Sequence, residues 1–497
     1  MLFSAQRLRD CPDFLRDESR KIGTADFVAT PATCHEVADA LREARERNLR
    51  VTIQGARTGV AGGAVPFGGV VLSLTRMNRI LGVRWENDTC FIRAQPGVRL
   101  AELRHYVAGG VISHTDWDSE SLHAEQRLRN ATRANGFFFP PDPTETTASL
   151  GGMCATNASG ACSYLYGPTR NYINALRVIL ASGETLQLQR GKPFPLPHTS
   201  GWGGPAHNIK NAAGFFYRDN MDALDLFIGS GGQLGVITEL ELRLLPRPPV
   251  EWGLMCFFKA ENEIPAVVAN ARALPRIAAI EFFDTGILSM LRQDVGRGGA
   301  FWPRLETEWN CAVYFEIHAD NEAAAAETLR NIANLTHGLL CGSWMATEAV
   351  DRERLKKFRH AAPEGVNLRI AQRKQTHPNL TKLGTDFSVP AERLRDVLRL
   401  YRDGLSSANL EGVIFGHIGD THLHVNVLPR DMADYERALQ LYKNWAQQIC
   451  DWHGSVSAEH GTGRLKVAFL RMMYGEEGFA KMEALRHTFD PEDRFAW

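Results

Sequence analysis

The sequence predicts an α+β protein in two parts: a first half organised by glycine-rich loops, then a half with an antiparallel sheet flanked by helices. Three observations predict it. Six glycines crowd between residues 55 and 69, and further glycine-rich stretches follow at 137–167 and 229–246. Beyond them the strand-like pieces LMCFFKA, NCAVYFEIHA, GVIFGHI and HLHVNVLP alternate with charged helical stretches such as AENEIPAVVANARALP, so the apolar period switches between two and 3.6. Between the two patterns lies the proline-rich RPPVEW, 247–252. The division is set there, at about residue 250, giving domains 1–250 and 251–497, the second ending in a helical segment.

Val37, Leu41 and Ala44 recur at helical spacing in CHEVADALREARERN (34–48), VTIQ (51–54) reads as a strand, GARTGVAGGAVPFGG (55–69) as a loop and GVVLSL (69–74) as a strand. No helix opens where the glycines end, which separates this order from a dinucleotide-binding βαβ unit. A pyrophosphate is held best by several converging backbone N–H groups, and glycine lets backbone approach that closely. A single glycine loop also reads as a plain turn. Three in one half read as a binding surface. The second, FFFPPDPTETTASLGGMCATNASGACSYLYG, is rich in small residues, and the third, GSGGQLGVITELELRLLP, runs into an alternating strand.

In the second half His417 and His424 are seven apart, which in one unbroken strand would put them on opposite faces. The intervening IGDT favours a turn, so a hairpin brings both imidazoles to one side. His422, His424 and Asn426 then share a face. Glu459, in SAEHGTGRLK (457–466), completes a His₂Glu set with an open position. Its neighbour His460 is free for acid–base work. A lone histidine pair would also read as structural.

Composition bounds the function. The chain has 497 residues, room for two to four domains at about 150 each. It carries 56 Lys and Arg against 57 Asp and Glu, a formal net charge of −1, with 44% hydrophobic residues. That balance excludes a chain-wide basic footprint for nucleic acid and argues against disorder. Nine scattered cysteines contain no C-x-x-C, which argues against a zinc ribbon or iron–sulfur run and for thiols in a reducing compartment. MLFSAQRLRDCPDFLRDESR is charged, so no signal peptide is expected. No run of about 18 apolar residues occurs. The expectation is a cytoplasmic protein, free or peripheral at the membrane, without a transmembrane segment.

Taken together, the segments resemble the vanillyl-alcohol-oxidase-like, PCMH-type FAD family. The family loop P-x-G-G-G-T-G-x-x-G-G-A-V-P is Q-G-A-R-T-G-V-A-G-G-A-V-P at 54–66, with Ala56 and Arg57 at two glycine positions. D-P-T-x₅-L-G-G at 142–152, Asn157 to Gly160 and Y-G at 166–167 match as well. Residues 229–239 resemble G-S-E-G-T-L-G-V-I-T-E, with Gly231 for Glu and Gln233 for Thr. FGHIGDTHLHVN (415–426) and AEHGTGRLK (458–466) resemble the C-terminal domain of the D-2-hydroxy-acid dehydrogenases, which include D-lactate, glycolate and D-2-hydroxyglutarate dehydrogenases.

The resemblance implies a two-subdomain FAD-binding domain. Gly55, Arg57, Thr58, Gly59, Gly62, Gly63 and Ala64 would bind FAD from the first loop. Pro141, Asp142, Thr144, Leu150, Gly151, Gly152, Ala155, Asn157, Ser159 and Gly160 would do so from the second, and Gly229, Gly232, Gly235, Val236 and Ile237 from the third. Arg57 either touches a phosphate or points to solvent. The first loop holds no histidine, where some relatives attach flavin covalently, so FAD is expected to be non-covalent. His417, His424 and Glu459 would hold a divalent metal, zinc by its mixed N/O ligands, with manganese and iron also fitting.

His460 would be the base, and Asn426 would be a further catalytic residue. Arg359, in LKKFRHAAPEGVN (355–367), would hold the substrate carboxylate through its planar fork. Lys382 lies within about two residues of the family's second cationic position. His422 stands where the family has Asn, and reads as a third ligand, a substrate contact or a surface residue. His422, Phe387 and the loop 195–220 are expected to wall the pocket. The implied activity is oxidation of a D-2-hydroxy acid to the 2-oxo acid by hydride transfer to flavin N5. Electrons would pass to a separate quinone, electron-transfer flavoprotein or cytochrome. The alternatives are flavin-dependent alkyl transfer, as in alkylglycerone-phosphate synthase, and a flavin-binding subunit of a multi-protein oxidase.

Overall fold

The computed structural model describes residues 3–194, 201–205, 208–294, 302 and 304–495. Helix Cys34–Glu46 turns Val37, Ala40, Leu41 and Ala44 inward, and the Thr33 hydroxyl caps it by accepting the Glu36 N–H at 3.2 Å. Strands Phe27–Ala29, Val70–Ser73 and Val51–Gln54 form a parallel sheet with Val70–Ser73 in the middle. The first glycine loop joins the latter two, and no helix opens after it.

The larger sheet of the first half has the spatial order Ile80–Glu86, Thr89–Ala94, Val236–Arg243, Ile173–Ile179, Thr185–Gln189, every pair antiparallel. The second glycine-rich stretch supplies the short helix Leu150–Thr156. Ser149 caps its start, and Asn157 ends it in the left-handed conformation with φ 50°. The third stretch docks on that helix. The N–H of Gly229 donates to Cys154 O at 2.9 Å and that of Gly231 to Ala155 O at 2.8 Å.

The second half is an antiparallel sheet in the order Leu340–Ala346, Val250–Phe258, Cys311–Ala319, Ile277–Phe283, Gly412–Gly416, His422–Val427, Leu383–Gly384. Phe387–Ser388 pairs with the opposite end of His422–Val427. Helices Ala349–Arg373, Leu394–Ser407 and Met432–Asp451 flank it. This is the α+β layout that the switching period predicts. Among the described residues no helix is long and apolar enough to cross a membrane.

Helix Val467–Phe489, kinked at Gly475, returns to the first half. The Tyr474 hydroxyl donates to Ala213 O at 3.0 Å, and the Phe489 ring meets Phe227 edge-on at 5.4 Å. Phe495 then bridges to Val51 and is buried with Val70 and Leu72 in the core of the small parallel sheet. Asp490 fixes this return, its carboxylate accepting the N–H of Arg494 at 2.9 Å and of Phe495 at 2.7 Å. Phe495→Ala empties a site only 2% exposed and is expected to cost about 3 kcal/mol. A fall in the urea midpoint with unchanged slope checks it.

Candidate active site

Strands Gly412–Gly416 and His422–Val427 are joined by a one-turn 3₁₀ segment, Ile418–Asp420, closed by Thr421 at φ 51°. The turn does what the odd spacing requires and brings the His417 and His424 rings to 5.6 Å, centroid to centroid. His417 Nε2 lies 3.3 Å from Glu459 Oε2, and His424 Nε2 lies 3.3 Å from Glu459 Oε1. Their other nitrogens face acceptors. His417 Nδ1 is 2.6 Å from Glu281 Oε1, and His424 Nδ1 is 3.0 Å from the Thr385 carbonyl. Metal-binding imidazoles are oriented in this way, with the outer nitrogen tied and the inner one free. Donors about 2.1 Å from one tetrahedral ion stand about 3.4 Å apart, so this donor set fits a divalent cation.

Asp386 holds Glu459 and His460 in place. Its Oδ1 accepts the Glu459 N–H at 3.2 Å. Its Oδ2 accepts the His460 N–H at 3.1 Å, the Ser457 hydroxyl at 2.9 Å and the Lys466 ammonium at 2.5 Å. Burial alone would raise this carboxyl; His460 and Lys466 outweigh burial and hold it well below the usual carboxylate range. The His460 ring stays partly open, its side chain 35% exposed, with Nδ1 3.3 Å from Asp386 Oδ2 and Nε2 3.5 Å from Glu459 Oε1.

The first half reaches the same carboxylate. Lys210 Nζ donates to Glu459 Oε2 at 2.8 Å, and the Ser159 hydroxyl donates to it at 3.3 Å. Ser159, placed by sequence on the flavin, thus contacts the His–Glu cluster. Gly463 packs so closely on the Ala61 carbonyl that a Cβ there would sit 2.2 Å from it. Among the described residues the backbone N–H groups of residues 57–63 have no protein acceptor. They form a run of free donors, as a pyrophosphate requires. Gly55, Thr58, Gly59, Gly62 and Gly63 belong to this loop. Arg57 takes φ 62°, the conformation natural to glycine, and its guanidinium stands over the Phe14 ring at 5.3 Å.

In the second stretch Pro141 O accepts from Arg104 and Asp142 Oδ1 from the Cys162 N–H, while Thr144 is exposed and Leu150 lies in the core. Val236 and Ile237 pair within the larger sheet. Phe387, expected in the pocket wall, is 1% exposed and packs on Tyr442. Side chains alternate along a strand, and Asp386 and Ser388 take the site face instead. Of the loop 195–220, residues 195–200 and 206–207 lie outside the described residues.

Arg359, in helix Ala349–Arg373, is partly buried, its guanidinium over the Tyr314 ring at 5.0 Å. Its Nη1 is 3.5 Å from Glu316 Oε2, and its Nε has no partner. Glu316 also accepts from Tyr314 at 3.0 Å and lies 3.0 Å from His318 Nε2. Lys382 forms no ion pair among the described residues, and burial and the neighbouring Arg20 lower its ammonium.

Sequence reasoning missed Lys210, Glu281, Glu316 and Asp386. A signal existed for three. Lys210 is the single formal charge between Lys192 and Arg218, and Glu281 and Glu316 are lone acids in the apolar strands IAAIEFF and CAVYFEIHA.

Glu316 makes acid stability testable. Burial raises its carboxyl; His318 and Arg359 outweigh burial and bring it down to about 2 from an ordinary 4.5. Its stabilisation is complete above the ordinary value and is lost as pH falls toward the lowered one. Unfolding free energy measured from pH 5 down to pH 3 should fall less steeply in Glu316→Gln than in the parent.

The FAD binding domain family model matches residues 25–121 and 125–189, and that of FAD linked oxidases, C-terminal domain, matches residues 248–496. The sequence is 30% identical over 476 residues to D-2-hydroxyglutarate dehydrogenase of Xanthomonas citri pv. viticola, covering 93% of this chain and 86% of that one. It is 28% identical over 492 residues to D-lactate dehydrogenase of Anaerostipes hadrus, covering 96% and 90%. Glycolate oxidase subunit GlcD of Bacillus subtilis is 26% identical over 94% of this chain and 87% of its own. Among solved structures, 4-ethylphenol oxidase from Gulosibacter chungangensis superposes with TM-score 0.67 at 16% identity, over 100% of this chain and 94% of that one. An alkyldihydroxyacetonephosphate synthase superposes with TM-score 0.61 at 15% identity, over 99% and 82%. Those two likenesses concern the fold. With an FAD binding domain in its first half and an FAD-linked oxidase domain in its second, the chain belongs to the FAD-linked oxidase family and is an FAD-dependent enzyme.

Proposed function

We propose that this enzyme oxidises a D-2-hydroxy acid to the 2-oxo acid, with non-covalent FAD and a divalent cation held by His417, His424 and Glu459. The observation that carries the reading is the twin approach of His417 Nε2 and His424 Nε2 to the two Glu459 oxygens, 3.3 Å each, beside the half-open His460. The relatives named D-2-hydroxyglutarate dehydrogenase, D-lactate dehydrogenase and glycolate oxidase support the substrate class. Two imidazoles with a carboxylate suit zinc, a borderline cation. The chemistry supplied at these positions is polarisation of the substrate hydroxyl by the cation and acceptance of the C2 hydride by flavin.

The chain does the rest. Arg359 holds the carboxylate, using the buried Nε that has no partner. His460 takes the hydroxyl proton, since imidazole is suited to proton transfer near neutral pH. Asp386 aims that ring, and Asn426 lines the same strand face. Lys210 and Ser159 fix the rotamer of Glu459 from the flavin side. Electrons leave to a separate acceptor, a quinone, an electron-transfer flavoprotein or a cytochrome.

Anaerobic titration with D- and L-2-hydroxy acids tests the whole reading. One D-acid bleaches the flavin band, its enantiomer does not, and a chelator abolishes the bleaching. A band that no hydroxy acid bleaches rejects it. His460→Ala is expected to keep FAD and metal while slowing substrate-driven reduction at least about 100-fold; reduction at the parental rate removes His460 as the base. Arg359→Ala is expected to raise KM about 10-fold or more, and an unchanged KM removes Arg359 from the carboxylate site.

A further inference from the structure

His422 opens the strand His422–Val427 and shares its face with His424 and Asn426. Its side chain is fully buried. Its ring lies 4.4 Å from that of His424 and 5.3 Å from that of His417, centroid to centroid. The Nε2 atom is 3.0 Å from Asp386 Oδ1. Nδ1 is 3.8 Å from Glu459 Oε2, and neither ring nitrogen makes an aligned hydrogen bond, Asp386 Oδ1 being the nearer acceptor of the two.

A neutral imidazole carries one N–H and one lone pair. The proton belongs on Nε2, where the Asp386 carboxylate faces it, so the Nδ1 lone pair looks toward the Glu459 carboxylate. Two electron-rich atoms face each other there, buried, at a distance too long for a hydrogen bond. A cation shared between them removes the conflict. His417 and His424 repeat the pattern, each with its outer nitrogen beside an acceptor and its inner nitrogen on Glu459. One donor atom from each of His417, His422, His424 and Glu459 can be chosen so that all four lie within 4.8 Å of one another.

From this we infer that His422 Nδ1 is a third imidazole donor to the divalent ion, which makes the site His₃Glu. The inference rests on the metal reading above and adds a residue to it. Four protein donors fill a tetrahedral ion, so a substrate that joins them raises the coordination number to five or more. Three imidazoles also favour zinc, cobalt and nickel over manganese and magnesium. Asp386 then serves two residues, orienting His422 as well as His460.

Zinc K-edge X-ray absorption of the FAD-containing protein loaded with zinc alone counts the imidazoles. Three in the parent and two in His422→Asn are the expected result. Competition against a chelator should give zinc Kd at least about 10-fold weaker in the variant, with the zinc-over-manganese preference reduced. Two imidazoles in the parent overturn the assignment of His422 and leave the set His417, His424 and Glu459 standing. A flavin-loaded parent that binds no zinc, manganese or iron overturns both. The parent's spectrum stands without the variant, and flavin absorbance reports whether the variant is folded.

Discussion

A single buried carboxylate holds the chemical end of this protein together. Asp386 gathers two backbone N–H groups, a serine hydroxyl, a lysine ammonium and the flanks of two imidazoles. A buried charge is tolerated only when its desolvation is repaid by such a set of donors. The set comes from two places far apart in sequence, the strand His422–Val427 and the turn 457–466. While the carboxylate stays charged, those two places stay in register. Glu459 and His460 are adjacent on a glycine-containing turn, and this carboxylate accepts the backbone N–H of both.

The second constraint runs across the molecule. Glu459 belongs to the second half, yet two of its hydrogen-bond donors, Lys210 and Ser159, belong to the first. Gly463 rests on the Ala61 carbonyl at the rim of the unsatisfied amides 57–63. The first glycine loop and the His–Glu cluster therefore share walls. Arg57 takes a positive φ, the conformation natural to glycine, and lays its side chain on Phe14.

What the sequence made legible was local. The strand–loop–strand order around residues 51–74 follows from period and glycine content. The hairpin between His417 and His424 follows from an odd spacing with a turn inside it, and Glu459 with His460 from one short motif. What it hid arrives by packing. Lys210 reaches Glu459 from a different half, and Glu281 reaches His417 from a neighbouring strand. Asp386 and Ser388 turn inward only because the strand Phe387–Ser388 pairs in one of two possible registers, and the same choice sends Phe387 into the core. The family resemblance suggested Lys382 as a site cation; the cation that the fold sets on Glu459 is Lys210.

The return of residues 467–495 to the first half bears on how such a protein can be recombined. Exchanging everything after residue 250 with a relative, to import its substrate preference, would also import a new partner for Phe227 and a new plug against Val51. The graft would alter the interior of the half it was meant to spare. A cleaner exchange takes the sheet and its flanking helices as an internal cassette and leaves the returning helix and Phe495 with their native neighbours.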